Sequence, residues 1–223
     1  MSNTNKLEII AEIGVNHNGK VSTAKKLIDV AEKTGATAVK FQTYITDNFV
    51  LKKAKKVKYQ INNSNRNETH YEMLKKFELK KNDFRIIKEY CKKKGVEFIS
   101  TPYDQESVAT LKKINVKRYK VASADIDDYL LHKEISKTNK KLIISTGMCT
   151  FQDIKKTIKL YKKKNITLLH CVSSYPCKLD QSYISRIVKL KKMFKLPIGF
   201  SDHTTSYEPA IMAYAVGARI FEK

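Results

Sequence analysis

The sequence predicts a parallel (β/α)8 barrel of the TIM-barrel class, and three observations lead there. Eight short apolar segments recur along the 223 residues. Most are continuous rather than alternating, as expected of strands buried on both faces. Amphipathic helical stretches with start and stop signals lie between them, and this alternation requires parallel strands joined by right-handed crossovers. The runner-up is an open doubly wound sheet, but no G-x-G-x-x-G follows any of the strands.

Strands are expected over 7–14, 37–42, 96–101, 118–123, 141–146, 167–172, 197–201 and 218–222. Ser22 is placed to cap the first helix, which carries Ala24, Leu27, Ile28 and Ala31 on one face and stops at Gly35. The polar connection over 44–80 is the one long loop and is expected to carry a short helix near 71–77; loops of that length commonly serve as lids. Phe84, Ile87 and Cys91 form the next stripe, ended by Gly95. Asp104 can cap the helix carrying Val108 and Leu111, and Thr150 with Asp153 resembles a capping box before Ile154 and Ile158. Ala210, Ile211, Tyr214 and Ala215 make the last stripe, ended by Gly217. No linker interrupts the pattern, so residues 1–223 read as one barrel domain.

Composition narrows the function. The chain is 42% apolar and 30% charged, a globular balance. It holds no apolar run near the ~18 residues of a membrane span, and Met1–Lys6 lack the apolar stretch of a signal peptide. A cytoplasmic protein without a membrane partner is expected. The four cysteines, Cys91, Cys149, Cys171 and Cys177, form no C-x-x-C pair and read as reduced thiols, Cys91 in a helix and Cys171 in a strand. The net charge of +22 invites a nucleic-acid reading. The lysine runs at 92–94, 162–164 and 191–192 instead sit near predicted helix ends, where cations are favoured and solvated. With no zinc finger or aromatic RNA-binding motif, no nucleic-acid partner is expected, though anionic substrates would be drawn to the surface.

In such a barrel the active site forms at the C-terminal ends of the strands. Those ends offer Glu12, Lys40 with Gln42, Ser100 with Thr101, Lys120 with Ser123 and Asp125, Ser145 with Thr146, His170 with Ser173 and Tyr175, Ser201 with His203, and Glu222 with Lys223. Two lysines within strands are costly unless an anion pairs with them. Ringed by hydroxyls, they suit a phosphate or carboxylate pocket. The plainer reading pairs Lys40 with Glu12 and Lys120 with a carboxylate such as Asp125; a Schiff-base lysine, as in some aldolases, is a third. Ser201-Asp202-His203 is no hydrolase triad, because neighbours on a strand point to opposite faces. His203 and His170 are each open to a metal-ligand or a hydrogen-bonded core reading.

Seven stretches taken together, AEIGVNHNG (11–19), AVKFQTY (38–44), FISTPYD (98–104), YKVASAD (119–125), IISTGM (143–148), LLHCVSSYP (168–176) and IGFSDHT (198–204), are similar to the sialic acid synthase family. That family condenses phosphoenolpyruvate with an N-acylated amino sugar. The resemblance implies that Glu12 is the acid/base carboxylate. It implies that Lys40, Thr101, Lys120, Ser123, Ser145 and Ser201 hold phosphoenolpyruvate, and that Gln42, Asp125 and Tyr175 touch the sugar. It makes His203, not His17 or His170, one of two histidines on a divalent metal, manganese or magnesium.

The chain departs from that pattern in places. Ser123-Ala124-Asp125 stands where the family often has Ser-Gly-Glu, and Ser173 where Asn is common. Both lie near the implied sugar, so N-acetylmannosamine shares the field with the acceptors of legionaminic acid and spore-coat polysaccharide synthases. His170 stands where the pseudaminic acid branch often has Lys. The resemblance also implies a second metal-binding His directly after strand eight, an eighth helix, and an antifreeze-like C-terminal domain that reaches across a homodimer. The expectation is a barrel truncated within strand 8, metal-poor and inactive alone.

Overall fold

Eight parallel strands close on themselves in sequence order. The computed structural model describes residues 7–57, 60–61 and 67–223, so Met1–Lys6 lie outside the described residues. The strands are β1 (Glu8–Gly14), β2 (Ala38–Thr43), β3 (Glu97–Pro102), β4 (Arg118–Val121), β5 (Lys141–Ser145), β6 (Ile166–His170), β7 (Ile198–Ser201) and β8 (Ile220–Glu222). The helices are α1 (Val21–Lys33), α2 (Thr46–Phe49), α3 (His70–Phe77), α4 (Lys81–Lys93), α5 (Gln105–Lys113), α6 (Tyr129–Lys137), α7 (Phe151–Ile158), α8 (Ser185–Phe194) and α9 (Glu208–Ala215). β8 is short, yet it pairs with β7 through Ser201↔Glu222 and with β1 through Ile10↔Glu222. Three residues suffice for closure, and the ring excludes the open-sheet alternative. Among the described residues no helix is long and apolar enough to cross a membrane.

The main apolar layer lies between strands and helices, with Ile28, Phe41, Ile87, Leu111, Ile135, Ile154 and Ile187 at its centre. A second, small cluster fills the barrel interior: Ile10, Ala38, Ile99, Ile143 and Leu169, with Ile220 against it. Side chains alternate across a strand, so the residue two places further on also points inward, one layer higher. From the apolar floor this step reaches Glu12, Lys40, Thr101, Ser145, Cys171 and Glu222. On β4 and β7 it leads from Arg118 to Lys120 and from Gly199 to Ser201. The site is therefore a polar ring standing on an apolar plug. Below the plug Arg118 is tied to Glu8 and Glu97.

The connection over 44–80 forms an ordered cover where it is described. Thr69 and Glu72 make a capping box at the start of α3. Tyr44, Met73 and Leu74 pack with Phe49, Phe77 and Tyr103 beside the mouth. Gly19 (φ +68°) lets the β1–α1 loop touch this cover: a Cβ there would lie 2.5 Å from the Lys76 carbonyl oxygen.

Several local expectations are corrected. α1 starts two residues earlier, with Lys20 as its N-cap and no side-chain cap from Ser22. β4 ends at Val121, because Ser123–Asp125 turns into a 3-10 helix. β6 ends at His170, which puts Cys171 just past the strand. Lys163 and Lys164 lie in a 3-10 turn entering β6, rather than at an α-helix end. α9 packs through small side chains, Pro209 and Ala213, so Ile211 and Tyr214 of the expected stripe face solvent at 59% and 47% exposure. All four cysteines are buried and free. The box at Thr150–Asp153 and the Asp104 cap, which accepts from Ser107 N–H, form as expected.

Candidate active site

Four charges occupy the polar ring as two ion pairs, with Lys40, Lys120 and Glu222 buried and Glu12 partly exposed. Glu12 and Lys40 are register partners on β1 and β2, which brings the ammonium within 2.7 Å of the carboxylate. Lys120 has Glu222 as its partner at 3.4 Å, across the barrel from β4 to β8, in place of the expected Asp125. Its ammonium also donates to Ser145 Oγ at 2.7 Å. Ser201, the register partner of Glu222, donates to that carboxylate at 2.8 Å. Lys120 and Glu222 are 3% and 5% exposed, so neither charge is relieved by bulk water.

The two carboxyls sit in different fields. Burial raises the Glu12 pKa above the ordinary carboxylate range, against the pull of Lys40, and Glu222 adds to the rise. Burial acts to raise Glu222 as well, but Lys120, Lys40 and the Ser201 hydroxyl overcome it and hold the pKa down to about 2. Titratable groups pushed apart in this way are suited to different protonation states, Glu12 to gaining a proton and Glu222 to staying an anion. Burial pushes the Lys120 pKa down, whereas Glu12 and Glu222 outweigh burial at Lys40 and push it up.

Hydroxyls and backbone N–H groups complete one wall. The 3-10 turn presents Ser123, whose Oγ accepts from Gly147 N–H at 2.8 Å and sits 3.1 Å from Cys171 Sγ. Gly147 is irreplaceable in shape: an added Cβ would lie 2.5 Å from Ser173 Oγ and 2.8 Å from Cys171 Sγ. Thr101 Oγ1, Asp125 Oδ2 and Glu222 Oε2 are buried without a hydrogen-bond partner. Buried polar atoms are rarely left so, and in a barrel mouth a ligand is the natural partner. Gln42 reaches the same region, its amide 3.8 Å from where a Cβ on Gly14 would stand, beside Glu12.

Asp125 is half-buried, and burial, reinforced by Asp128, pushes its pKa up to about 7 despite Lys120. The folded chain holds this proton more tightly than the unfolded one. Its contribution to stability is therefore present at acidic pH and declines as pH rises from the ordinary carboxylate range towards 7. Asp125→Asn is expected to flatten that part of the stability–pH curve in urea titrations at successive pH values. An unchanged slope would show that Asp125 titrates normally.

His203 stands beside this ring. Its Nδ1 meets the Val172 carbonyl oxygen at 2.6 Å, which makes Nδ1 the donor and leaves the lone pair on Nε2. Nε2 lies 3.2 Å from Ser201 Oγ, whose one proton goes to Glu222. Burial lowers the His203 pKa, so the ring is neutral. A neutral imidazole oriented by a carbonyl fits one ligand of a divalent metal. Among the described residues, no group of three or more ligating side chains is gathered around a metal position. Tyr175 stacks on this imidazole at 4.2 Å between ring centroids. His17 and His170 are engaged elsewhere, His17 Nδ1 with Gly19 N–H and His170 Nε2 with the Ser182 carbonyl.

The structure thus gathers Glu12, Lys40, Thr101, Lys120, Ser145, Ser201 and Glu222 into one ring, with Ser123, Asp125, Gln42, Tyr175 and His203 around its rim. Sequence reasoning gave no role to Glu222, which anchors Lys120, or to Tyr103, which lies within the field of Lys40, Asp125 and Glu12. The two-residue step from Ile220 was the one signal that placed Glu222 inward.

A family model described as the NeuB family matches residues 27–223. The chain belongs to the NeuB family. It is 40% identical over 226 residues to an N,N'-diacetyllegionaminic acid synthase of Campylobacter jejuni, covering 98% of this chain and 67% of that protein. A pseudaminic acid synthase of the same species is 33% identical over 221 residues, with 98% and 64% covered. Among solved structures, an N-acetylneuraminic acid synthetase of Leptospira borgpetersenii in complex with citrate superposes with a TM-score of 0.86 at 33% identity, covering all of this NeuB-family chain and 76% of that one. The chain thus spans about two thirds of the length of the two Campylobacter relatives.

Proposed function

We propose that this barrel condenses phosphoenolpyruvate with an N-acylated amino sugar, giving a nonulosonic acid and phosphate. The observation that carries the reading is the pair of buried lysines, Lys40 and Lys120, set in a ring of hydroxyls with the unpartnered polar atoms of Thr101 and Glu222 in the same ring. Such a cradle suits a small, dense anion with two acidic groups.

In this reading Lys40 and Lys120 bind the phosphate and carboxylate, with Thr101, Ser123, Ser145 and Ser201 donating around them. Preorganised donors stabilise the charge that develops as carbon 3 attacks the sugar aldehyde and water adds at carbon 2. Glu12, with its raised pKa, takes the proton of that water and returns it as the C–O bond to phosphate breaks. Asp125, Gln42 and Tyr175 line the sugar side, and an Asp125 that titrates near neutrality can donate to a sugar oxygen as well as accept. A divalent metal held by His203 Nε2 would supply Lewis-acid polarisation of the aldehyde. Greater identity to the legionaminic acid synthase than to the pseudaminic acid synthase favours a legionaminic-type acceptor over the pseudaminic one.

The test is to incubate the protein, expressed from its full-length gene, with phosphoenolpyruvate, manganese and a panel of mono- and di-N-acetylated amino sugars. The expected result is phosphate release with one sugar class and a product mass equal to sugar plus pyruvate. Failure to release phosphate with every sugar would sink the reading. The lowered pKa of Lys120 favours one rival, a Schiff-base aldolase. That rival predicts borohydride trapping on Lys120 in the presence of a keto acid, and the synthase reading predicts none.

A further inference from the structure

A cavity of about 640 Å³ lies beside the polar ring, where the loops after β5 and β6 meet α7 and α8. It shares a wall with the anion cradle: Gly147, whose N–H holds Ser123, and Ser173 both line it. Arg186 and Lys189 are in its lining, and no carboxylate is. Arg186 is fixed at the entrance by donating to the Cys149 carbonyl oxygen at 2.7 Å and by lying 4.7 Å over the Phe151 ring. No carboxylate pairs with it among the described residues. A guanidinium has five N–H donors in a rigid fork, so this anchoring leaves donors for a second acceptor.

His170 adds an independent sign of a ligand. It lines the cavity and is 1% exposed. Its Nε2 meets the Ser182 carbonyl oxygen at 2.8 Å and must therefore carry the proton. Nδ1 then bears a lone pair, and it is buried with no partner. The missing partner is a donor. A cavity with cationic donors at its entrance and one unmet acceptor inside suits an oxyanion that retains a hydroxyl. Orthophosphate at neutral pH is such an anion. A phosphate monoester is mostly dianionic there and has no hydroxyl to give.

We propose that this cavity is a second oxyanion site, which receives inorganic phosphate next to the cradle and holds it with Arg186, Lys189 and His170. The site rests on the synthase reading for its source of phosphate; Arg186 and Lys189 alone would also hold a phosphate carried by the acceptor sugar, which would leave His170 Nδ1 unmet. The two sources predict different results.

The experiment titrates inorganic phosphate into the protein and into Arg186→Met and Lys189→Met, followed by calorimetry, with steady-state kinetics alongside. Loss of a charge-assisted hydrogen bond is expected to weaken phosphate binding about tenfold in Arg186→Met, and by a smaller factor in Lys189→Met. KM for phosphoenolpyruvate is expected to stay within about twofold, and phosphate to inhibit non-competitively against it. Lys189 is exposed and forms no hydrogen bond or ion pair among the described residues, so its variant keeps the test valid if Arg186→Met unfolds. Unchanged phosphate affinity in a folded Arg186→Met and in Lys189→Met would overturn the proposal, as would purely competitive inhibition. A rise in KM confined to a phosphorylated amino sugar, with inorganic phosphate unaffected, would reassign the cavity to the acceptor and overturn it too. Calorimetry needs no turnover: an inactive protein whose phosphate affinity still falls in the variants would sink the synthase reading and leave the site standing.

Discussion

Lys120→Met is expected to lower turnover with phosphoenolpyruvate by at least about 10²–10³-fold, the scale seen when one preorganised donor to developing charge is removed. Lys120 is buried, donates to Ser145 and faces Glu222. Methionine fills much of its volume without a charge or a donor. The same change strands Glu222, whose low pKa depends first on Lys120 and then on Lys40. Breaking a buried pair from one side costs about 3–5 kcal/mol, reduced here because Lys40 remains and Glu222 can take up a proton. The double variant Lys120→Met, Glu222→Gln separates the two effects. It is expected to recover most of the lost stability in urea unfolding while recovering none of the turnover. Near-normal kcat/KM for phosphoenolpyruvate in the folded single variant would refute the assignment.

Gly199→Ala is expected to be the most damaging one-methyl change in the molecule. Gly199 occupies the floor position on β7. A Cβ there would stand 2.2 Å from the Ile220 carbonyl oxygen and 2.5 Å from Leu169 Cδ2. Neither neighbour can yield cheaply, because one is the backbone of β8 and the other belongs to the interior cluster. Overpacking of this kind costs about 1–3 kcal/mol or more. β8 is held by few residues, so its displacement would also part Ser201 from Glu222. Both the unfolding midpoint and turnover should fall together. Gly35→Ala serves as the contrast: nothing lies within 4 Å of its Cβ, and only its φ of +84° resists, so it should cost stability and spare activity. A Gly199→Ala protein as stable as the parent would show that β8 can shift without loss.

Much of the fold was legible because it is written in local chemistry. Apolar runs, the capping box at Thr150, the N-cap at Asp104, and stop glycines at Gly35 and Gly95 each act within a few residues. Misreadings came where another part of the molecule decided. α9 buries Pro209 and Ala213 and leaves Ile211 and Tyr214 facing solvent, a choice made by how the helix lies on the barrel and not by its own pattern. Ser123 leaves the strand because the chain turns there to present its hydroxyl to Gly147.

The candidate site divides in the same way. The sequence by itself determined the eight strands, their C-terminal ends to within about two residues, and hence which side chains enter the barrel, since inward positions follow from a two-residue step. It also paired Glu12 with Lys40 as one reading, because successive strands in such a barrel are neighbours. Only the tertiary structure decided that Lys120 pairs with Glu222 instead of Asp125, that Glu12 and Glu222 differ in proton affinity, and that His203 turns Nε2 towards Ser201. Those outcomes depend on ring closure, which brings β4 and β8 within reach across the interior and removes their charges from water. No local pattern encodes a distance measured through the middle of the barrel.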